Sequence, residues 1–357
     1  MKPQNYSGVL LIDGKYAPVK QLGEETLAMK AGQKGKVPYS RKRQDRRSTR
    51  KGLVVLPFID YLTHDIPVYV IAASENMYEI REGFRKLKEM GYDLKILVCD
   101  EGMGEIAQVA KEFYPEVILQ TCLKHYSANV DKEFKINGIK RTMKALENKL
   151  MKLGESVLIP THHYNRERAR KWVNQIAEIE FEYLDLIRVQ ALFHRIFWNV
   201  KTMEELGEAE NELNEFIGKI NLDTYPHADK IIKRYQNYYQ NHAKINAHLF
   251  HPELSIPRTT NLIEGFNSTT LEIRFTSIRG FEKEETARNY INALILKYRF
   301  HKFKCCKEPF RHLNGKSPLE IAQPLTYKEP PSRKDWIDFC RKLKVEMKKN
   351  PPQKEGG

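Results

Sequence analysis

GLVVLPFIDYLTHDIPVYVIAA, residues 52–73, holds two apolar runs on either side of a polar turn at 61–65. Runs of this length, rich in Val and Ile and bounded by turn formers, predict two β-strands, 52–60 and 66–73. Upstream, GVLLID (8–13) predicts another short strand ending in Asp13-Gly14. Three strands therefore precede the first helical pattern, 77–89, which Gly91 ends. LKILVCD (94–100) predicts a fourth strand, 103–113 a second helix stopped by Pro115, and VILQT (117–121) a fifth strand. The order βββαβαβ is that of the ribonuclease-H-like fold, a mixed five-stranded α/β sheet with helices on both faces; taken as a pattern it is one α/β arrangement among several.

The pattern then changes. From 127 to 257 the sequence is long-helical, rich in Glu, Lys, Leu and Ile, which predicts a large all-α insertion between a first part of the core (1–126) and its remainder (258–325). A further helix, 282–300, runs into the aromatic and basic KYRFHKFK (297–304). Residues 326–357 read as a charged, Pro-containing tail whose last eight residues should be disordered.

Composition limits the partner. The 357 residues carry 60 Lys+Arg against 46 Asp+Glu, a formal charge of +14, which suits a polyanion. Hydrophobic residues at 41% supply a core and exclude a disordered chain. Cys99, Cys122, Cys305, Cys306 and Cys340 show no paired C-x-x-C spacing, against a disulfide framework and a four-ligand zinc site. Lacking a long apolar run or a secretory leader, the chain is expected to be soluble and intracellular, cytoplasmic or nucleoid-associated.

Residues 258–281 read RTTNLIEGFNSTTLEIRFTSIRGF. Thr259, Thr260 and Asn261 are good N-caps, and at about 100° per residue Leu262, Ile263, Phe266, Thr270 and Ile273 share the side expected to face a core. Glu264 falls off that stripe, near Asn267, Ser268 and Leu271. It can close a capping box with Asn261, or its carboxylate can serve a site. Gly265 beside it costs roughly 0.5–1 kcal/mol relative to alanine in a helix, and close approach of another backbone or a ligand is one reason to tolerate it.

Asp13 and Asp100 end the first and fourth strands, which are neighbours in a ribonuclease-H-like sheet. Their plain alternatives are an Asp-Gly hairpin turn and a strand-end acid in the loop DEGMG. With Glu264 from a helix across the sheet, the two aspartates make a cluster of acids that repel one another unless cations intervene. Mg²⁺ prefers oxygen ligands, and two such ions about 3.5–4 Å apart can clamp the attacking and leaving oxygens of a phosphodiester.

RTTNLIEGFNSTTLEIRFTSIRGF, with VCDEGMGEI (98–106), QTCLKHY (120–126) and FRHLNGKSPLEIA (310–322), resembles the DDE transposases of the Mutator-like (MULE) group and related bacterial insertion-sequence transposases, over roughly 8–320. Thr-Thr-Asn followed by Glu-Gly-Phe-Asn is the most specific part. The resemblance implies metal-binding acids at Asp13, Asp100 and Glu264, holding two Mg²⁺ or Mn²⁺ ions, and a Cys-x-x-His pair at Cys122 and His125. For His125 it implies contact near the scissile phosphate, against the plainer alternative of a core or capping histidine. Zinc at Cys122 and His125 is not expected, for want of a second ligand pair. Gly265 would admit the DNA backbone or the sheet. The implied activity is metal-dependent cleavage of transposon ends followed by strand transfer into target DNA. The implied partners are double-stranded DNA and a second copy of the chain, as a homodimer or larger assembly, with no membrane.

The run KAGQKGKVPYSRKRQDRRSTRK (30–51), ten basic residues against one acid, reads as a phosphate-contacting arm or a solvated loop. In KYRFHKFK the aromatics are expected in a core rather than as stacking platforms. Trp172 and Trp198 are candidates for stacking on a flipped base, with core packing as the favoured alternative. Such transposases usually carry an end-recognition domain before the core, and here the first strand comes within about eight residues of the start. A truncated or domesticated copy that binds DNA without cutting, and a host nuclease without strand transfer, are therefore the alternative functions.

Overall fold

The computed structural model describes residues 5–19, 52–73, 77–101, 104–154, 163–220, 228–278 and 281–324. The basic run 30–51 and the tail from 326 lie outside these described residues.

Six strands form one mixed sheet: β1 (Val9–Ile12), β2 (Lys15–Pro18), β3 (Gly52–Asp60), β4 (Val68–Ala72), β5 (Ile96–Cys99) and β6 (Ile118–Thr121). β3 is antiparallel to β4 on one side and to β1 and β2 on the other, while β1, β5 and β6 run parallel. β2 is a strand that the sequence did not predict. Ile12 lies opposite Phe58 and Lys15 opposite Val55, so the register is unbroken and Asp13-Gly14 face Pro57 and Leu56. The Asp13-Gly14 pair is therefore no hairpin turn: the chain carries straight on along β3, and the gap falls where Pro57 has no N–H to offer a ladder.

Alternation along the strands builds two cores. Leu10, Ile12, Val54, Leu56 and Phe58 pack under helices α1 (Met77–Glu89) and α2 (Gly104–Phe113) through Ile80, Phe84, Leu87, Ile106 and Val109. A glycine inside α1 has a packing reason: a Cβ at Gly83 would stand 2.5 Å from Phe58 Cζ. Val9, Leu11, Val55 and Ile59 face the opposite way and meet Ile263, Phe266, Leu271, Ile291 and Ile295.

A third core is wholly helical. It joins α3 (Leu123–Phe134), α4 (Ile136–Leu153), α5 (His163–His194, running into a π-helical turn, Arg195–Asn199), α6 (Met203–Lys219), α7 (Ala228–Gln240) and the single turns α8 (His242–Ile245) and α9 (Ala247–Phe250). Tyr126, Phe134, Phe193, Phe197 and Tyr238 are its largest members. Trp172 and Trp198 are not in it, contrary to the favoured expectation: Trp172 lies under Arg168 at 4.9 Å, and Trp198, in the π-helical turn, is 38% exposed. Gln120 ties this helical layer to the sheet, its Nε2 donating to Ile245 O (2.9 Å) and its Oε1 accepting from His248 N (2.9 Å).

The chain returns through α10 (Asn261–Phe266), a π-helical stretch (Asn267–Glu272), α11 (Ile273–Ile278), α12 (Glu284–Phe300) and α13 (Pro318–Ala322). The π turn corrects the predicted stripe. Widening the turn advances the buried phase by one residue, so Ile263, Phe266, Asn267, Leu271 and Phe275 are buried and Ile273 is 55% exposed. Within KYRFHKFK, Tyr298 packs on Phe266 (4.7 Å) and donates to His64 O (3.0 Å), while Arg299 grips buried Asp65 with two bonds of 2.7 and 2.8 Å. Among the described residues no helix is long and apolar enough to cross a membrane.

Candidate active site

Asp13 follows β1, and Asp100 follows the parallel neighbour β5, so sheet pairing alone brings both to one sheet edge. Burial first, and then the Asp100 charge, push the Asp13 carboxyl above its ordinary range; Glu264 adds to this, while Asn267 and His125 oppose it. Asp100 is also raised, by burial first and by Glu264, against the opposing effect of His125 and Lys124. Asp13 thus feels the Asp100 and Glu264 charges, and Asp100 that of Glu264, with burial the larger cause of both shifts.

Helix α10 brings Glu264 across the sheet. Its N-cap is Thr260 rather than Asn261, and no side chain caps the helix. The expected capping box is absent because the carboxylate is used elsewhere: Oε2 takes the Lys124 ammonium, Oε1 accepts from Thr260 Oγ1 (3.3 Å), and Oε1 lies 3.7 Å from His125 Nε2. The π turn places Asn267, 4% exposed, so that its Nδ2 donates to Asp13 Oδ2 (3.0 Å). One helix therefore supplies the third acid and the clamp on the first.

His125 and Cys122 come from the start of α3, with Cys122 at the N-cap. His125 Nδ1 contacts Asp100 Oδ1, so the imidazole stands between Asp100 and Glu264. Cys122 is buried, accepts from Thr260 N (3.4 Å) and lies 3.2 Å from Thr260 Oγ1. Donor atoms of Asp100, Cys122 and His125 lie within 4.8 Å of one another, a group that could hold a metal ion. The absence of a second Cys/His pair hid this group in the sequence, because its third member is an acid from another strand. Asp13 and Glu264 are not members of that group; Glu264 meets it through His125, and Asp13 is held by Asn267.

Each of the three acids has an oxygen held by a neighbour, Asp13 by Asn267, Asp100 by His125 and Glu264 by Lys124. Behind Asp100 the site is braced by the helical layer. Arg234 of α7, its side chain 4% exposed, donates to Glu101 Oε1 (2.9 Å) and Glu133 Oε2 (2.8 Å), and its guanidinium covers the Tyr126 ring at 4.8 Å. A cleft of about 460 Å³ opens there, lined among others by Asp100, Glu101, Gln120, Tyr126, Arg234 and Lys244.

Gly265 is exposed, and a Cβ placed on it would meet no atom within 4 Å. Among the described residues the sheet does not approach it, which overturns that half of the expectation. Lys124 escaped the sequence analysis, as did the contacts of Thr260, noted there only as an N-cap, and of Asn267, noted only as a neighbour of Glu264. The one usable signal was Lys124 itself, a lysine in the first turn of a helix that carries no acid there to offset the positive helix end.

No protein-family model matches this sequence, and no curated protein matches it.

Proposed function

We propose that the chain is a DDE transposase, a divalent-metal-dependent enzyme that cuts DNA at transposon ends and transfers the exposed strand into target DNA. One observation carries this: Asp13 and Asp100 end the neighbouring parallel strands β1 and β5, and His125 stands between Asp100 and Glu264 of α10. The strand order β4–β3–β1–β5–β6, with β3 antiparallel to its neighbours, supports a ribonuclease-H-like core for that site. The charge of +14 supports a DNA partner.

Bound Mg²⁺ or Mn²⁺ would supply the Lewis acidity that activates water and stabilises the leaving oxygen. Asp13, Asp100 and Glu264 are the residues that would hold it. Asn267 fixes the Asp13 rotamer and Thr260 fixes Glu264, so two of the three ligands are oriented in advance. His125, which stands between Asp100 and Glu264, would contact the scissile phosphate. Cleavage leaves a 3′-hydroxyl, which the same acids direct at a second phosphodiester, so no protein–DNA covalent bond is formed. Gly265, open to solvent one residue past Glu264, leaves room for the DNA backbone.

Strand transfer separates a transposase from a nuclease of similar core. A labelled duplex ending in a 3′-hydroxyl is incubated with plasmid, protein and Mg²⁺ or Mn²⁺, and covalent joining is scored. Joining is the expected result. Cutting without joining on any end sequence would mean a nuclease, and tight salt-sensitive binding with neither reaction would mean a binding-only copy.

A further inference from the structure

Lys124 sits where nothing in helix α3 asks for it. In the first turn of a helix a cation opposes the positive end of the helix dipole, and α3 has no acid in that turn and no side-chain cap. What compensates Lys124 lies on another element: its Nζ contacts Glu264 Oε2 and reaches Asn261 Oδ1 at 3.4 Å, both on α10. Its side chain is 49% exposed, free to swing outward, whereas Glu264 is 26% exposed.

We propose that the Lys124 ammonium is a built-in counter-ion of the acid site, displaced when a divalent cation takes Glu264, and that the freed ammonium then contacts a DNA phosphate. The inference rests on the metal-dependent DNA-cutting function proposed above. The charge count motivates it. Three carboxylates facing two divalent ions leave a net positive site, so an ammonium on Glu264 is needed without metal and superfluous with it. Displaced outward, it would remain beside α10, next to the open space at Gly265 where the DNA is proposed to lie. Metal and DNA then strengthen each other's binding, since the metal releases a phosphate-binding group and DNA holds that group away from the metal ligand; such coupling is reciprocal.

The test compares wild type with Lys124→Met and Lys124→Arg. Mn²⁺ affinity without DNA is measured by electron paramagnetic resonance, and affinity for a short duplex is measured across a salt series with and without Ca²⁺. Lys124→Met should bind Mn²⁺ about two- to fivefold tighter, the scale of a lost exposed ion pair, and Lys124→Arg should bind it like wild type. With Ca²⁺ the slope of log affinity against log salt should be about one unit shallower in Lys124→Met than in wild type; without Ca²⁺ the two slopes should coincide. Equal Mn²⁺ affinities, or a slope difference that does not depend on metal, would overturn the proposal. Both results are read from binding, so wild type that cuts DNA while showing either of them would sink this inference alone, whereas wild type that binds Mn²⁺ and never cuts would sink the proposed function.

Discussion

Gly265→Ala separates what the protein needs at that position from what DNA needs. Gly265 lies inside α10, its φ is not positive, and an added Cβ finds open space. Inside a helix the exchange removes backbone entropy from the unfolded chain and should stabilise by about 0.5–1 kcal/mol. For a chain of this length that raises the melting temperature by roughly 1–3 °C. The new methyl group projects beside Glu264, on the face where the DNA backbone is proposed to lie. Forcing a methyl into a close contact costs about 1–3 kcal/mol, roughly a 5- to 150-fold loss of cutting. The assay pairs calorimetry with plasmid nicking on the same preparation. Higher stability with weaker cutting is the expected outcome. Unchanged cutting in the stabilised protein would refute DNA approach at Gly265, and a lower melting temperature would refute the open space itself.

The same exchange at Gly83 should have the opposite sign: with Phe58 Cζ 2.5 Å from the new Cβ, Gly83→Ala should destabilise by about 1–3 kcal/mol, read by urea unfolding. Asp13→Asn tests the cost of a buried carboxylate beside Asp100. Because the native fold favours the protonated Asp13 carboxyl, the stability this group contributes is full at acid pH and is lost as pH rises through its raised pKa. Without metal, Asp13→Asn should therefore be more stable than wild type at neutral pH, with the difference closing toward about pH 4, and Mg²⁺ should stabilise wild type more than the variant. Arg234→Met strips Glu101 and Glu133 of a guanidinium that is only 4% exposed; with Glu133 half-exposed, about 2–3 kcal/mol should be lost on denaturant unfolding, and Glu133→Gln in the same chain should restore part of it.

Most of the sheet was legible because its strands are buried on both faces, which writes continuous apolar runs such as LVVL and ILVC. β2 was not: Lys15–Pro18 buries only Ala17, beside half-buried and exposed residues, and continues the β1 register along β3. The acids were legible as strand ends and as a helix start. The clamp on Asp13 was not, since it depends on a π turn that moves Asn267 from the expected outer face to a buried one, and a 3.6-residue period cannot show that. Lys124 was hidden because it meets Glu264 only after the chain has passed through the whole helical layer, whereas Thr260 is a local contact four residues away. Cys122 and His125 were recognisable as a spaced pair, but their meeting with Asp100 is a product of β5 and β6 lying side by side.

The most direct test of a metal-dependent acid site is nicking of supercoiled plasmid in Mg²⁺ or Mn²⁺ by wild type and by Glu264→Gln, which preserves shape and removes one charge that would bind the cation. Wild type should nick and Glu264→Gln should bind the plasmid without nicking it. Equal nicking by both proteins, or none by wild type under any divalent cation, would contradict the assignment of Asp13, Asp100 and Glu264 as the catalytic acids.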